Sequence, residues 1–192
     1  MLYFCSMLRD AFEKLVKLED AEWADAESRF KTISFVKDQL LTREGEIEAY
    51  FYFIKSGVHS MYYLSPDGDE TILGFSFTGN FSGAYDSFST QTPSRLYIQA
   101  LSSGEAYAIS YADMSYLFDR YKNFERWGRL FIQHILFGRG RREIEMLATS
   151  AEERYKAFVA RMPQELQQIP LRHIASYLNM TPETLSRLRS KR

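Results

Sequence analysis

The chain has 192 residues, 45% hydrophobic and 26% charged, which is ordinary globular composition. No run of about 18 apolar residues occurs, so no membrane span is expected. The near-neutral net charge of −1 hides an asymmetry: residues 1–122 carry 11 basic and 18 acidic side chains, residues 123–192 carry 13 and 7. An acidic front and a basic back suggest two regions with different partners, the basic half suited to a polyanion. Uneven solvated charge is the plainer alternative. The N-terminus lacks a basic start and a small-residue cleavage site, so no signal peptide is expected. A single cysteine, Cys5, fits a reducing, cytoplasmic setting. One Cys and three scattered His (His59, His134, His173) argue against a zinc or iron–sulfur site.

Residues 7–30 read as helix, with Leu8, Phe12, Leu15, Val16 and Leu18 at spacings of three and four. From about 32 to 110 short runs of β-branched and aromatic residues alternate with Gly, Asp and Pro. Ala49–Ile54, His59–Leu64, Thr71–Phe77, Leu96–Leu101 and Glu105–Ile109 are strand candidates. Asp67-Gly68 is a strong hairpin-turn pair. Many short strands with no long helices between them indicate an antiparallel sandwich or barrel.

Helix returns after Ser110: a short one at Ala112–Arg120, then a long one at Asn123–Ala148. The long helix is apolar over more than one face, at Trp127, Leu130, Phe131 and Ile135 among others. A cover that wide must bury two sides. One side suits the barrel and the other a second copy of the helix; complete burial in the monomer is the alternative. Gly138 and Gly140 interrupt it and mark a kink or a close backbone contact. Residues 150–192 are helical again, broken at Pro163 and Pro170.

The segment from Pro170 to Arg189 has the spacing of a helix-turn-helix. Ile174, Ala175 and Leu178 form the apolar face of a short first helix. Asn179 sits at the tight turn, where it tolerates a left-handed conformation. Thr181 is a good N-cap and Pro182 falls at the first helical position. Leu185 and Leu188 face the core. This geometry presents Pro182, Glu183, Ser186, Arg187 and Arg189 to a major groove. Arg187 suits guanine and Glu183 a cytosine amino group, while Thr181, Thr184 and the helix N-terminus suit a phosphate. Residues 170–192 hold five basic side chains, Arg172 among them, against Glu183 alone. Merely solvated charge on a small helical unit is the bland alternative.

Taken together, the sequence resembles the family of the cyclic-AMP receptor protein and the fumarate–nitrate regulator (Crp/Fnr) over nearly its whole length. The motifs are Tyr52-Phe-Ile-Lys-Ser-Gly57, Asp67-Gly-Asp-Glu-Thr-Ile-Leu73, Gly79-Asn-Phe-Ser-Gly83 and Thr181-Pro-Glu-Thr-Leu-Ser-Arg187. The resemblance implies an α+β chain: an N-terminal cyclic-nucleotide-binding-like antiparallel β-barrel of jelly-roll type over 1–122, a long dimerisation helix over 123–148, and a helix-turn-helix domain over 149–192. It implies base-reading roles for Glu183 and Arg187. The position before this Glu is often Arg in the family and is Pro182 here, so the target sequence does not transfer.

The nucleotide pocket departs from the family. Cyclic-AMP-binding members carry a Gly-Glu pair whose Glu holds the ribose hydroxyl; here the pair is Gly83-Ala84. About ten residues later the family has Arg followed by Ser or Thr, the Arg neutralising the phosphate. Here the order is Ser94-Arg95, and a one-residue slip decides whether Arg95 enters the pocket. Tyr85 is a candidate for lining or filling the cavity. The implied function is a dimeric DNA-binding transcriptional regulator reading an inverted repeat. Double-stranded DNA and a second copy are its partners, with RNA polymerase a further candidate. No cofactor is called for beyond a small-molecule effector other than cyclic AMP. The other reading is a ligand-sensing or protein-interaction barrel whose DNA module has decayed; any wing would have to come from residues before 170. No catalytic constellation or metal-ligand set supports an enzyme.

Overall fold

A computed structural model describes residues 3–161 and 167–190, with the side chains of 3–5 left out. Two helices open the chain, α1 (Tyr3–Glu13) and α2 (Asp20–Arg29), in place of the single expected helix. The break has a physical cause. Glu19 and Glu22 form a capping box that starts α2 afresh, and Arg9 donates to the Leu18 carbonyl across the turn. Phe12, Val16, Leu18 and Trp23 thereby reach one core, which a straight helix could not arrange.

Eight strands follow: β1 (Lys31–Phe35), β2 (Leu40–Thr42), β3 (Tyr50–Ser56), β4 (His59–Leu64), β5 (Glu70–Ser76), β6 (Phe81–Ser82), β7 (Tyr97–Ala100) and β8 (Gly104–Ser110). They form two four-stranded sheets, ordered β1-β8-β3-β6 and β2-β7-β4-β5, with antiparallel pairing throughout. Residues from both sheets (Phe35, Tyr52, Ala100, Ala106, Ala108) share one buried cluster, which makes the pair a sandwich-like barrel. The β4–β5 hairpin turns at Asp67-Gly68, where Gly68 has φ +86° and donates to the Ser65 carbonyl. A short helix, α3 (Tyr85–Thr90), links β6 to β7.

Helices α4 (Tyr111–Arg120) and α5 (Lys122–Ala148) then pack with α1 and α2 against the β3–β6 edge of the first sheet. The joint is a nest of aromatic rings. Phe12 and Trp127 lie 4.3 Å apart between ring centres, and Trp127 stacks on Phe131 at 4.8 Å. Each fully buried ring of this kind stabilises the fold by about 1.5–3 kcal/mol. Trp127 is 0% exposed, so it serves its own chain's core and is not free to meet a second copy; the expectation for it is corrected. Leu130 and Phe131 are half-buried against the same core, and Ile135 is half-buried. Farther along, α5 leaves the core as an unbroken helix, and Leu136, Phe137, Ile144 and Leu147 are exposed.

Three helices complete the described chain: α6 (Ala151–Ala160), α7 (Leu171–Tyr177) and α8 (Pro182–Ser190). Phe158, Ile169, Ile174, Ala175, Leu178 and Leu185 form their core, which also takes in Val58 and Leu101 of the barrel.

Candidate DNA-reading helix and sensor cavity

The turn between α7 and α8 is built by local chemistry. Asn179 adopts φ +51°, the left-handed region that Asn tolerates. The Met180 amide donates to Ala175 O and the Asn179 amide to Ser176 O, closing the turn. Arg154, almost fully buried, threads beneath it and donates to Leu178 O (2.8 Å), Asn179 O (3.2 Å) and Thr149 O. A buried guanidinium is costly unless its hydrogens are matched, and three carbonyls match them here. Sequence pattern gives no sign of this role for Arg154. The Ser150–Glu153 capping box next to it is legible in the sequence and marks where α6 begins.

Thr181 Oγ1 accepts from the Thr184 amide at 3.2 Å, capping α8 as its position predicts. Leu185 is 1% exposed and pins the inner face of α8. The outer face is free: Thr181, Pro182, Glu183, Ser186, Arg187 and Arg189 are all exposed, and Thr184 is half-buried. The Glu183 carboxyl is held below the usual range by its own backbone amide and then by the Thr181 hydroxyl. Arg172 is exposed on α7, where it lines a groove with Asp69 and Glu70 of the barrel and Pro182 at the start of α8. Lys191 and Arg192 lie outside the described residues, as do residues 162–166.

Helix α7 lies along strand β5. His173 Nε2 and Glu70 Oε2 are 3.0 Å apart; Ser176 Oγ accepts from the Ile72 amide and donates to Glu70 O, each at 3.0 Å. Arg142 of α5 stacks on the Tyr177 ring at 3.7 Å and donates to Tyr177 O.

The five residues of the expected ligand pocket do not converge. Gly83, with φ +133°, leads into Ala84, whose amide donates to Glu48 Oε2 at 2.8 Å. Glu48 also accepts from Thr42 Oγ1 at 2.7 Å. It is 1% exposed, and burial raises its pKa above the ordinary 4.5. Ser94 is buried and spends its hydroxyl on its own loop, at Leu96 N and O. Gly83 and Tyr85 line an inner cavity of about 380 Å³ between β4–β6, α3 and α5. Arg95 does not line it. Arg95 is exposed and faces a second, outer cavity of about 720 Å³ together with Arg139, Arg142, Glu44 and Glu143. Among the described residues no cluster of His, Cys, Asp and Glu has the geometry of a metal site.

A double-sheet barrel followed by a long helix and a capped helix-turn-helix defines the class of cyclic-nucleotide-binding-fold proteins with a C-terminal helical module. The model of the cyclic nucleotide-binding domain matches residues 32–121. The fumarate and nitrate reduction regulatory protein of Yersinia pestis is 30% identical over 168 residues, 79% of this chain and 64% of that protein. The fold is that of FixK2 from Bradyrhizobium japonicum (TM-score 0.75, 20% identity, 84% of this chain and 83% of that one). It is also that of a Crp/Fnr-family protein from Eubacterium rectale (TM-score 0.70, 13% identity, 91% and 83%). The chain is similar to Crp/Fnr-family proteins, and its residues 32–121 match the cyclic nucleotide-binding domain. It spans 64% of the length of the curated relatives it matches.

Proposed function

We propose that this chain is a DNA-binding transcriptional regulator that acts as a homodimer and reads an inverted-repeat operator through α8. The observation that carries the reading is the outward row on α8: Glu183, Ser186, Arg187 and Arg189 are exposed on a helix whose other side is anchored by Leu185. Arg187 gives two hydrogen bonds to a guanine edge, Glu183 accepts from a cytosine amino group, and the Thr181 end of α8 holds a phosphate. In a dimer two such helices enter successive major grooves about 34 Å apart. The basic excess of residues 123–192 supplies the sequence-independent share of the attraction. The protein works in the cytoplasm, and RNA polymerase is the partner through which such a regulator would act.

The test is selection of bound sequences from a random duplex pool, followed by titration at several salt concentrations. An inverted repeat should emerge, and affinity should fall steeply with salt. Arg187→Ala should cost about 1–3 kcal/mol at one base position per half-site and little elsewhere. Uniform loss on every sequence would reduce Arg187 to a phosphate contact, and a flat salt response would end the DNA reading. Cyclic AMP is not the effector in this proposal: Ala84 replaces the family's Glu, and Arg95 lies outside the inner cavity.

A further inference from the structure

Helices α6, α7 and α8 form one body. Phe158, Ile174, Leu178 and Leu185 share its core, and Arg154 of α6 holds the α7–α8 turn by the Leu178 and Asn179 carbonyls. The chain joins this body to α5 only at Thr149 and Ser150, a link that alone would let it swing. Two arginines oppose the swing. Arg142 of α5 reaches forward to α7, where its guanidinium lies over the Tyr177 ring at 3.7 Å and donates to Tyr177 O. Arg161, the C-cap of α6, reaches back to α5, where Nη2 meets Glu145 Oε1 at 2.6 Å. Its Nε donates to Ala157 O at 3.0 Å, so the guanidinium is held on both sides. The Glu145 carbonyl accepts from the Thr149 amide and hydroxyl, which closes α5 at the joint. The Arg161 side chain is 62% exposed, and an ion pair of that kind adds little stability; its effect lies in where it holds α6. The seam to the barrel runs along α7 through His173 and Ser176, so it resists a slide along β5 more than a swing of α6 about that line.

We infer that Arg142 and Arg161 determine operator specificity: they fix the angle of α8 to α5, and with it the half-site spacing that the dimer accepts. The inference rests on the dimeric DNA reading above. One added base pair lengthens the separation of half-sites by about 3.4 Å and turns one about 34° further round the duplex. Shared between two copies joined through α5, each α8 would have to move about 1.7 Å and swing about 17° on its own α5. A displacement of that size carries the Arg161–Glu145 contact past hydrogen-bonding distance and lifts Arg142 off its ring. Neither arginine lies on the outward row of α8, so base preference within a half-site is independent of them.

The test uses duplexes carrying the half-site recovered by the selection above. The half-site stands alone, or in inverted repeats whose spacer is the selected one or a base pair longer or shorter. The native chain should favour one spacer by about tenfold or more, because a misplaced second half-site adds nothing to the first. Arg142→Ala with Arg161→Ala should narrow that ratio to about threefold or less. Affinity for a single half-site, its base preferences and the dimeric mass in sedimentation should stay unchanged. Arg161→Ala alone should give an intermediate ratio, and it decides the matter if the double variant does not fold. A variant that keeps the native ratio overturns the inference. Equal loss on every duplex does so too, since the arginines would then be phosphate contacts, as does dissociation of the dimer. A native chain indifferent to spacer length overturns this inference and leaves the α8 reading standing. A native chain that binds no duplex at all, single half-site included, overturns both.

Discussion

His59 sits on β4 with 1% exposure, its Nδ1 3.1 Å from Ser82 Oγ, and burial lowers its pKa from 6.5 to about 4. Between those values the unfolded chain binds a proton that the folded chain refuses. Stability contributed by the neutral ring is therefore present above pH 6.5 and drains as pH falls toward 4, by about 3 kcal/mol in full. Denaturant titrations from pH 7 to 4 should show this fall in the native protein and lack it in His59→Gln. Glu48 carries the opposite sign. Its raised pKa means the folded chain keeps a proton that the unfolded chain releases, so its share of stability is lost as pH rises above 4.5. Glu48→Gln keeps acceptors for Ala84 N–H and Thr42 and should flatten that slope. Gly104 makes a steric point at the same scale. A Cβ there would stand 2.1 Å from the Ser56 carbonyl oxygen, so the backbone itself must move. Gly104→Ala should lower unfolding free energy by about 3 kcal/mol. None of this is visible in sequence, because it depends on which strands become neighbours: Glu48 meets Ala84 across 36 residues, and Gly104 meets Ser56 from the far end of the barrel's chain.

At the scale of elements, legibility follows locality. The helix-turn-helix is set by contacts between near neighbours, and its devices can be read directly: left-handed Asn179, the Thr181 cap, the inward Leu185. Strand β4 (His59–Leu64) has the bounds that its residue pattern implies, and β3, β5 and β8 fall within a residue or two of theirs. Strands β1, β2 and β6, two to five residues long, give too little alternation to register, and α3 of six residues gives too little period. The pocket is hard to read for a related reason. Ser94-Arg95 reverses the family's Arg-Ser order, and whether Arg95 enters the pocket turns on a one-residue slip that sequence does not fix; in the fold Ser94 turns into its own loop and Arg95 outward to the second cavity. Thr181→Ala tests the cap. It should destabilise α8 by about 1 kcal/mol, seen as faster amide exchange at Thr184, with the barrel unaffected.

At the scale of the whole molecule, α7 and α5 do different jobs. Strand β5 is the outer strand of its sheet, and Ser176 of α7 bonds its Ile72 amide and Glu70 carbonyl, closing an edge that would otherwise invite another chain. That contact ties the helix-turn-helix to the barrel within one copy. We propose that the exposed end of α5 joins two copies. Ile132, Leu136, Gly140 and Ile144 follow one another at four-residue intervals and so lie along one side of the helix, with Leu147 and Phe137 flanking. Nothing approaches within 4 Å of the place a Gly140 side chain would occupy, which leaves room for a second backbone to come close. In this proposal the mating surface lies a turn or more beyond Trp127, whose indole is committed to the aromatic core. Leu136→Glu with Ile144→Glu puts two like charges on each copy of this stripe. In sedimentation the native chain should have twice its chain mass and the double variant the single mass, with circular dichroism unchanged because both positions are exposed. Operator affinity of the double variant should collapse toward that of one half-site, since the second α8 is no longer held in register. A native chain that sediments as a monomer, or a double variant that stays dimeric, would place the contact elsewhere. Trp127→Ala distinguishes the two roles: it should unfold the core of each copy, at a cost of about 3–5 kcal/mol, rather than dissociate a dimer into folded monomers.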